Sequence, residues 1–103
     1  MSGPELRSAI RGRQVVRFDY HGRPRVAHPH AIFVASTGTH CLDAVQVGGG
    51  TSAGGALPGW RRFDLNDIGS VTVLEERFEV ADDFEVRARD YRRGIVVAAV
   101  ASA

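Results

Sequence analysis

From Gln14 onward the chain is written in short runs of alternating apolar residues, each closed by a glycine- or proline-bearing turn, and few folds other than a small antiparallel β structure accept that pattern. Val16, Phe18 and Tyr20 alternate with Val15, Arg17 and Asp19, which suits a half-buried strand. His21-Gly22-Arg23-Pro24 reads as a turn. A second strand is expected from Arg25 to about Ala35, and Pro29 within it predicts an edge position or a bulge, because proline has no N–H to give to a ladder. Ser36-Thr37-Gly38 closes a hairpin onto a third strand, His40 to Val47. Trp60 to Leu65 resumes strand character. Asn66-Asp67-Ile68-Gly69 reads as one helical turn with Asp64 as its cap. Ser70 to Leu74 is a further strand, and Glu75 to Tyr91 is mixed, charged and mostly loop. Ile95 to Ala101 is a final apolar run after Gly94, whose valines favour a strand over a short helix.

The segment ahead of the alternation differs. Ser2 and Glu5 have capping-box spacing, Pro4 sits in the first turn, and Leu6 and Ile10 share a face before Gly12. A helix so short needs something to pack on. The expected architecture is mainly β: a small sandwich or barrel of five to six strands with a short N-terminal helix. It divides into a helix at 1–12, a barrel at 13–80 and a C-terminal extension with a final strand at 81–103.

At 103 residues the chain closes one modest core. Thirteen basic residues, all arginine, against 12 acidic ones leave a formal charge of +1, which excludes a histone-like or acidic-tail protein. No apolar run approaches the ~20 residues that span a membrane. The first residues lack a signal-peptide pattern, so a cytoplasmic protein is expected. The single cysteine, Cys41, excludes an internal disulfide.

The order of these elements resembles the WYL domain, a bacterial domain named for a Trp-Tyr-Leu run. Phe18-Asp19-Tyr20 matches the aromatic end of its first strand. Arg25-Val26-Ala27-His28-Pro29-His30 matches an Arg-x-x-x-Pro segment with the proline in place. His40-Cys41-Leu42 stands at the name-giving run and keeps its leucine. Arg61-Arg62-Phe63-Asp64-Leu65-Asn66-Asp67-Ile68 matches an Arg-x-Phe-x-Leu-x-basic-Ile pattern, with Asp67 at the basic position. Val71, Val73 and Phe78 fit the next strand. The resemblance implies an SH3-like (Sm-like) β-barrel that senses a ligand, a nucleotide or single-stranded nucleic acid. In that family it usually stands behind a DNA-binding helix-turn-helix in transcription regulators; this chain looks like the sensor alone.

The candidate site follows from strand geometry and the resemblance together. Neighbours on a strand face opposite ways, so Trp60 and Arg62 share one face while Arg61 and Phe63 share the other. Arginine beside an aromatic ring on a sheet is how single strands are held, phosphate on the guanidinium and base on the ring. The expected ligand contacts are Tyr20, Arg25, His30, Arg61 and Arg62, with Arg25 and Arg61 on phosphate, His30 hydrogen-bonding or stacking, and Tyr20 stacking. The alternative for each arginine is a salt-bridged surface position.

His28 and His30 are two apart and are expected on one face with Val26 and Ile32. A metal would need a third ligand, His40 or Asp43, that no spacing demands, so neither metal nor cofactor is expected. His40 and Cys41 point oppositely and cannot act as base and nucleophile. The glycine-rich Gly48–Gly59 segment has no phosphate-loop pattern and reads as a flexible connection, or as a loop that orders over ligand. Arg87, Arg89, Arg92 and Arg93, interleaved with Asp82, Asp83, Glu85 and Asp90 around Tyr91, read as a solvated or internally paired face, or as a basic rim on the binding surface or a dimer contact. No catalytic set stands out. The leading expectation is a non-enzymatic sensor. The alternative is a protein-interaction module whose Ile95–Val100 tail pairs with a second copy or with a separate DNA-binding regulator.

Overall fold

A computed structural model describes residues 3–50, 56–85 and 91–100; Ser2, the 51–55 part of the glycine-rich segment, Arg87, Arg89, Asp90 and Ala101 lie outside them. Helix α1 (Gly3–Gly12) opens the chain and is followed by β1 (Gln14–Tyr20), β2 (Arg23–Val34), β3 (His40–Gly49) and β4 (Gly59–Asp64). One 3-10 turn, Leu65–Asp67, leads into β5 (Ile68–Arg77), and β6 (Ile95–Ala98) comes last. The sheet is antiparallel, in the order β4-β3-β2-β1-β5, with β6 also paired to β2. This is the mainly β arrangement that the alternating runs predict, a six-stranded antiparallel sheet with a short helix at the N-terminus.

Local chemistry explains the turns. The register Tyr20↔Arg23 leaves His21 and Gly22 as a two-residue loop with φ of 50° and 76°, the left-handed pair that a tight hairpin needs. Asp64 caps the 3-10 turn: its carboxylate accepts the Asn66 amide N–H at 2.9 Å.

Pro29 is not at an edge. β2 pairs with β3 along one side, and along the other with β1 at Arg23–Ala27 and then with β6 at Ala31–Phe33. The proline is accommodated by a bulge instead: Pro29 lies opposite Ala44 and Ala31 opposite Asp43, so His30 is the extra residue. One extra residue reverses the facing of everything after it. Ala27 and Ile32, five apart, therefore share the inner core, whereas Ala31 and Phe33 face outward. The expectation that Ile32 shares a face with the two histidines fails for this reason. His28 and His30 do lie together, both against the Phe78 ring.

The inner core gathers Leu6, Ala9 and Ile10 of α1 with Val16, Phe18, Leu42, Phe63, Ile68 and Val97. β6 is thus part of the sheet and of the core. Its ladder partner is β2 of the same chain, where a pairing with another chain was the alternative expected for Ile95–Val100. A second, outer cluster holds Ala31, Phe33, Cys41 and Tyr91, with Phe84 packed on it. β3 is consequently buried on both faces from Cys41 to Ala44. Among the described residues no helix is long and apolar enough to cross a membrane.

Gly49 closes the β2–β3 ladder at φ +86°, and a Cβ there would lie 2.2 Å from the Pro24 carbonyl oxygen. Gly49→Ala is expected to cost about 1–3 kcal/mol, since backbone must shift and a left-handed alanine is strained. Urea unfolding measures it. A variant as stable as the parent would mean that this ladder end is not packed as described.

Candidate functional site

The strand alternation of β4 sends Trp60 and Arg62 to the outer face and Phe63 to the core, as the sequence predicts. On that outer face the segment from Phe78 to Glu85 and the turn at Tyr91 stand over β3 and β4. Between them lies a cleft of about 380 Å³ lined by Asp43, Trp60, Arg61, Arg62, Asp83, Phe84, Glu85 and Tyr91. Pockets of roughly 300–1,000 Å³ hold small organic ligands.

The floor of the cleft is a cross-strand pair. Arg62 stands directly opposite Asp43 in the β3–β4 register. Its Nε donates to Asp43 Oδ1 at 2.7 Å and its Nη2 to Oδ2 at 2.9 Å. Tyr91 donates its hydroxyl to the same Oδ2 at 2.7 Å. The guanidinium also lies 4.7 Å from the centre of the Phe33 ring beneath it, a cation–π contact.

The walls are aromatic. Trp60 donates its indole N–H to Asp83 at 2.8 Å, which ties β4 to the overlying segment. The Trp60 and Phe84 rings are near parallel, 26° apart with centroids at 6.1 Å, and Phe84 leans on Tyr91 at 6.2 Å. His30 sits behind them, fully buried by its bulge, with its ring against Trp60 at 4.9 Å, Phe78 at 5.0 Å and Phe84 at 5.2 Å. Its Nε2 is 3.0 Å from the Ala81 amide N–H and its Nδ1 is 2.8 Å from the His28 carbonyl. An amide N–H only donates and a carbonyl only accepts, so Nε2 is bare and Nδ1 carries the proton: the ring is neutral. Burial pushes the His30 pKa below the ordinary 6.5, as it does that of His28, whose ring lies flat on Phe78.

The expected site residues divide between two places. His30 and Arg62 belong to the cleft, His30 as backing for its walls and Arg62 as its floor. Tyr20 and Arg25 gather on the inner side. There the Tyr20 hydroxyl accepts the Asp64 amide N–H at 3.0 Å, and its ring meets Phe63 edge-on. Arg25 is only 3% exposed, lies 5.4 Å from the Tyr20 ring centre and donates to the Tyr20 carbonyl at 3.1 Å. Burial, then the nearby Arg23 charge, lower the Arg25 pKa from its ordinary value. Arg61 lies between the two groups. It borders the cleft, and its guanidinium donates to the Trp60 carbonyl at 2.8 Å and the Ala56 carbonyl at 3.1 Å.

Sequence reasoning missed Asp43 as the partner of Arg62 and Phe84 as lining, and offered Asp83, Glu85 and Tyr91 only within the alternative of a rim on the binding surface. The signal lay in Phe78, Phe84 and Tyr91, three large aromatics in a stretch rich in charge, where a solvated loop has no use for them. Arg92 and Arg93 are exposed, as a solvated face requires. Burial, and then the Asp64 charge, push the Cys41 thiol up, away from thiolate character, and His40 beside it is exposed. Among the described residues no three of His, Cys, Asp and Glu stand close enough to hold a metal ion.

Comparison with protein-family models, with curated proteins and with solved structures finds no match for this chain.

Proposed function

We propose that the protein is a non-enzymatic ligand-sensing module, and that its ligand presents a single flat nucleobase ring, as a nucleoside or mononucleotide does. The observation that carries this reading is the cleft: Trp60, Phe84 and Tyr91 line one concave site with Arg61 and Arg62 at its base and border. Aromatic faces stack bases with ~1–3 kcal/mol each, and a guanidinium accommodates one phosphate. The lining carries two arginines against three carboxylates, Asp43, Asp83 and Glu85. Asp43 already holds Arg62 through two hydrogen bonds. A track for a long phosphate chain needs a surplus of positive charge, so a single ring suits this site better than a strand. The ordered WYL-like pattern supports the same class of ligand. On that reading the module is cytoplasmic and passes ligand binding to a separate DNA-binding regulator.

The only tryptophan of the chain lies in the cleft, so its fluorescence reports the site directly. Titration with adenosine, AMP and UMP should give saturable quenching for at least one of them. Phe84→Ala should weaken that binding about tenfold or more, the loss of one stacking face. Added salt should change the affinity little. The absence of saturable quenching by any of the three at millimolar concentration would overturn the proposal. A short oligonucleotide that binds with a steep salt dependence would move the reading to single strands.

A further inference from the structure

We propose that His30 is a proton-operated latch on the cleft: neutral, it holds the Phe78–Glu85 wall in place through the Ala81 amide, and protonated, it releases that wall. The regulatory part of this inference rests on the ligand reading above; the latch itself does not.

The argument starts from the bulge. It places a histidine in a fully buried position where both ring nitrogens meet backbone. On one side the partner is a carbonyl of the same strand, His28. On the other it is the amide of Ala81, fifty-one positions along the chain. That second bond joins the sheet to the segment that carries Asp83 and Phe84. A bare Nε2 accepts the Ala81 N–H. A protonated one presents a hydrogen to that N–H, two donors face to face, and leaves a charge buried among Trp60, Phe78 and Phe84. The segment can relieve both costs only by moving away and letting water in.

The groups facing His30 decide the balance. His28, on the same strand, opposes a second positive charge; Asp83 on the segment and Asp43 on β3 favour one; Arg62 of β4 already occupies Asp43. Burial outweighs both the hydrogen bond to the His28 carbonyl and the two carboxylates, so the net direction is toward the neutral ring. An unfolded histidine near 6.5 therefore binds its proton before the folded one does. The stability this ring contributes is complete above that value and is lost as pH falls through the lower, folded value. Loss of the wall in the same range removes Phe84 from the cleft and with it the ligand.

The test follows the free protein by NMR between about pH 7.5 and about pH 5. The His30 ring nitrogens should show an unprotonated Nε2 at the upper end, with a titration midpoint below that of a free histidine. Ala81 amide protection should fall along the same curve. His30→Gln places an uncharged acceptor near the Nε2 position, so in that variant Ala81 should stay protected throughout. In the wild type, quenching of Trp60 by AMP should weaken about tenfold across the range, and in His30→Gln it should not. Three results would overturn the latch: the opposite ring tautomer in the wild type, an Ala81 amide protected at the lower pH while His30 is charged, or the same loss of protection in His30→Gln. The tautomer and exchange readings on the wild type need no variant and no ligand. Absence of AMP binding at every pH would count against the ligand reading alone.

Discussion

Phe63→Ala should lower the unfolding free energy by about 3–5 kcal/mol, the range for removing a large aromatic from a packed core. Phe63 is 2% exposed. Its ring meets Phe18 edge-on at 5.0 Å and Tyr20 edge-on at 4.9 Å, and the Arg25 guanidinium stands 5.8 Å from its centre. Truncation loses both aromatic contacts and leaves a cavity that β1, β3 and β4, each fixed by ladders, cannot fill by collapsing. A domain of this size is stable by ~5–15 kcal/mol, so the loss is a large fraction of the whole. Urea denaturation followed by circular dichroism measures it. Val96→Ala, at a position 45% exposed on β6, is the control and should stay within about 0.5 kcal/mol of the parent.

Arg62→Ala is expected to cost about 2–3 kcal/mol, and Asp43→Asn in the same chain should recover part of it. Asp43 has a side chain only 11% exposed, so without Arg62 its carboxylate keeps the Tyr91 hydroxyl and no opposing charge from its cross-strand partner. Breaking a buried ion pair from one side costs ~3–5 kcal/mol because the remaining charge is uncompensated. The figure is reduced here because Arg62 itself is 45% exposed and water already shares its charge. Asparagine at position 43 removes the stranded charge while its amide still pairs with the Tyr91 hydroxyl. A double-mutant cycle by urea unfolding measures the coupling. Additive losses would mean that the pair is an ordinary surface contact and not the floor of the cleft.

The parts of the fold that rest on local chemistry were legible in the sequence. The alternation in β1, the turn at His21-Gly22, the Asp64 cap and the valine-rich β6 each follow from a few neighbouring residues, whereas Arg23 and Pro24, read as part of that turn, already belong to β2. Pro29 announced an irregularity but not its kind, because the choice between edge and bulge depends on strands that pair from elsewhere in the chain. The cleft was half legible. The facing of Trp60 and Arg62 followed from strand period, yet the partner of Arg62 depends on the β3–β4 register, which nothing local specifies. The sequence around the wall residues Phe78, Phe84 and Tyr91 has neither helical nor strand period. Its aromatics find His30 and Trp60 only in the tertiary fold. Grouping Tyr20, Arg25, His30, Arg61 and Arg62 as one site followed from strand geometry and the family-like order of motifs together. The alternation that puts Arg61 and Arg62 on opposite faces also separates Tyr20 and Arg25 from the cleft.

Amide and indole chemical-shift mapping during a titration with AMP locates the bound ring on the protein. If the cleft is the binding site, the largest changes fall on the Trp60 indole N–H and on the amides of Asp83, Phe84 and Glu85, while those of Tyr20 and Arg25 stay in place. Saturable changes centred on Tyr20 and Arg25, with Trp60 unmoved, would place the ligand on the inner side and not in the cleft.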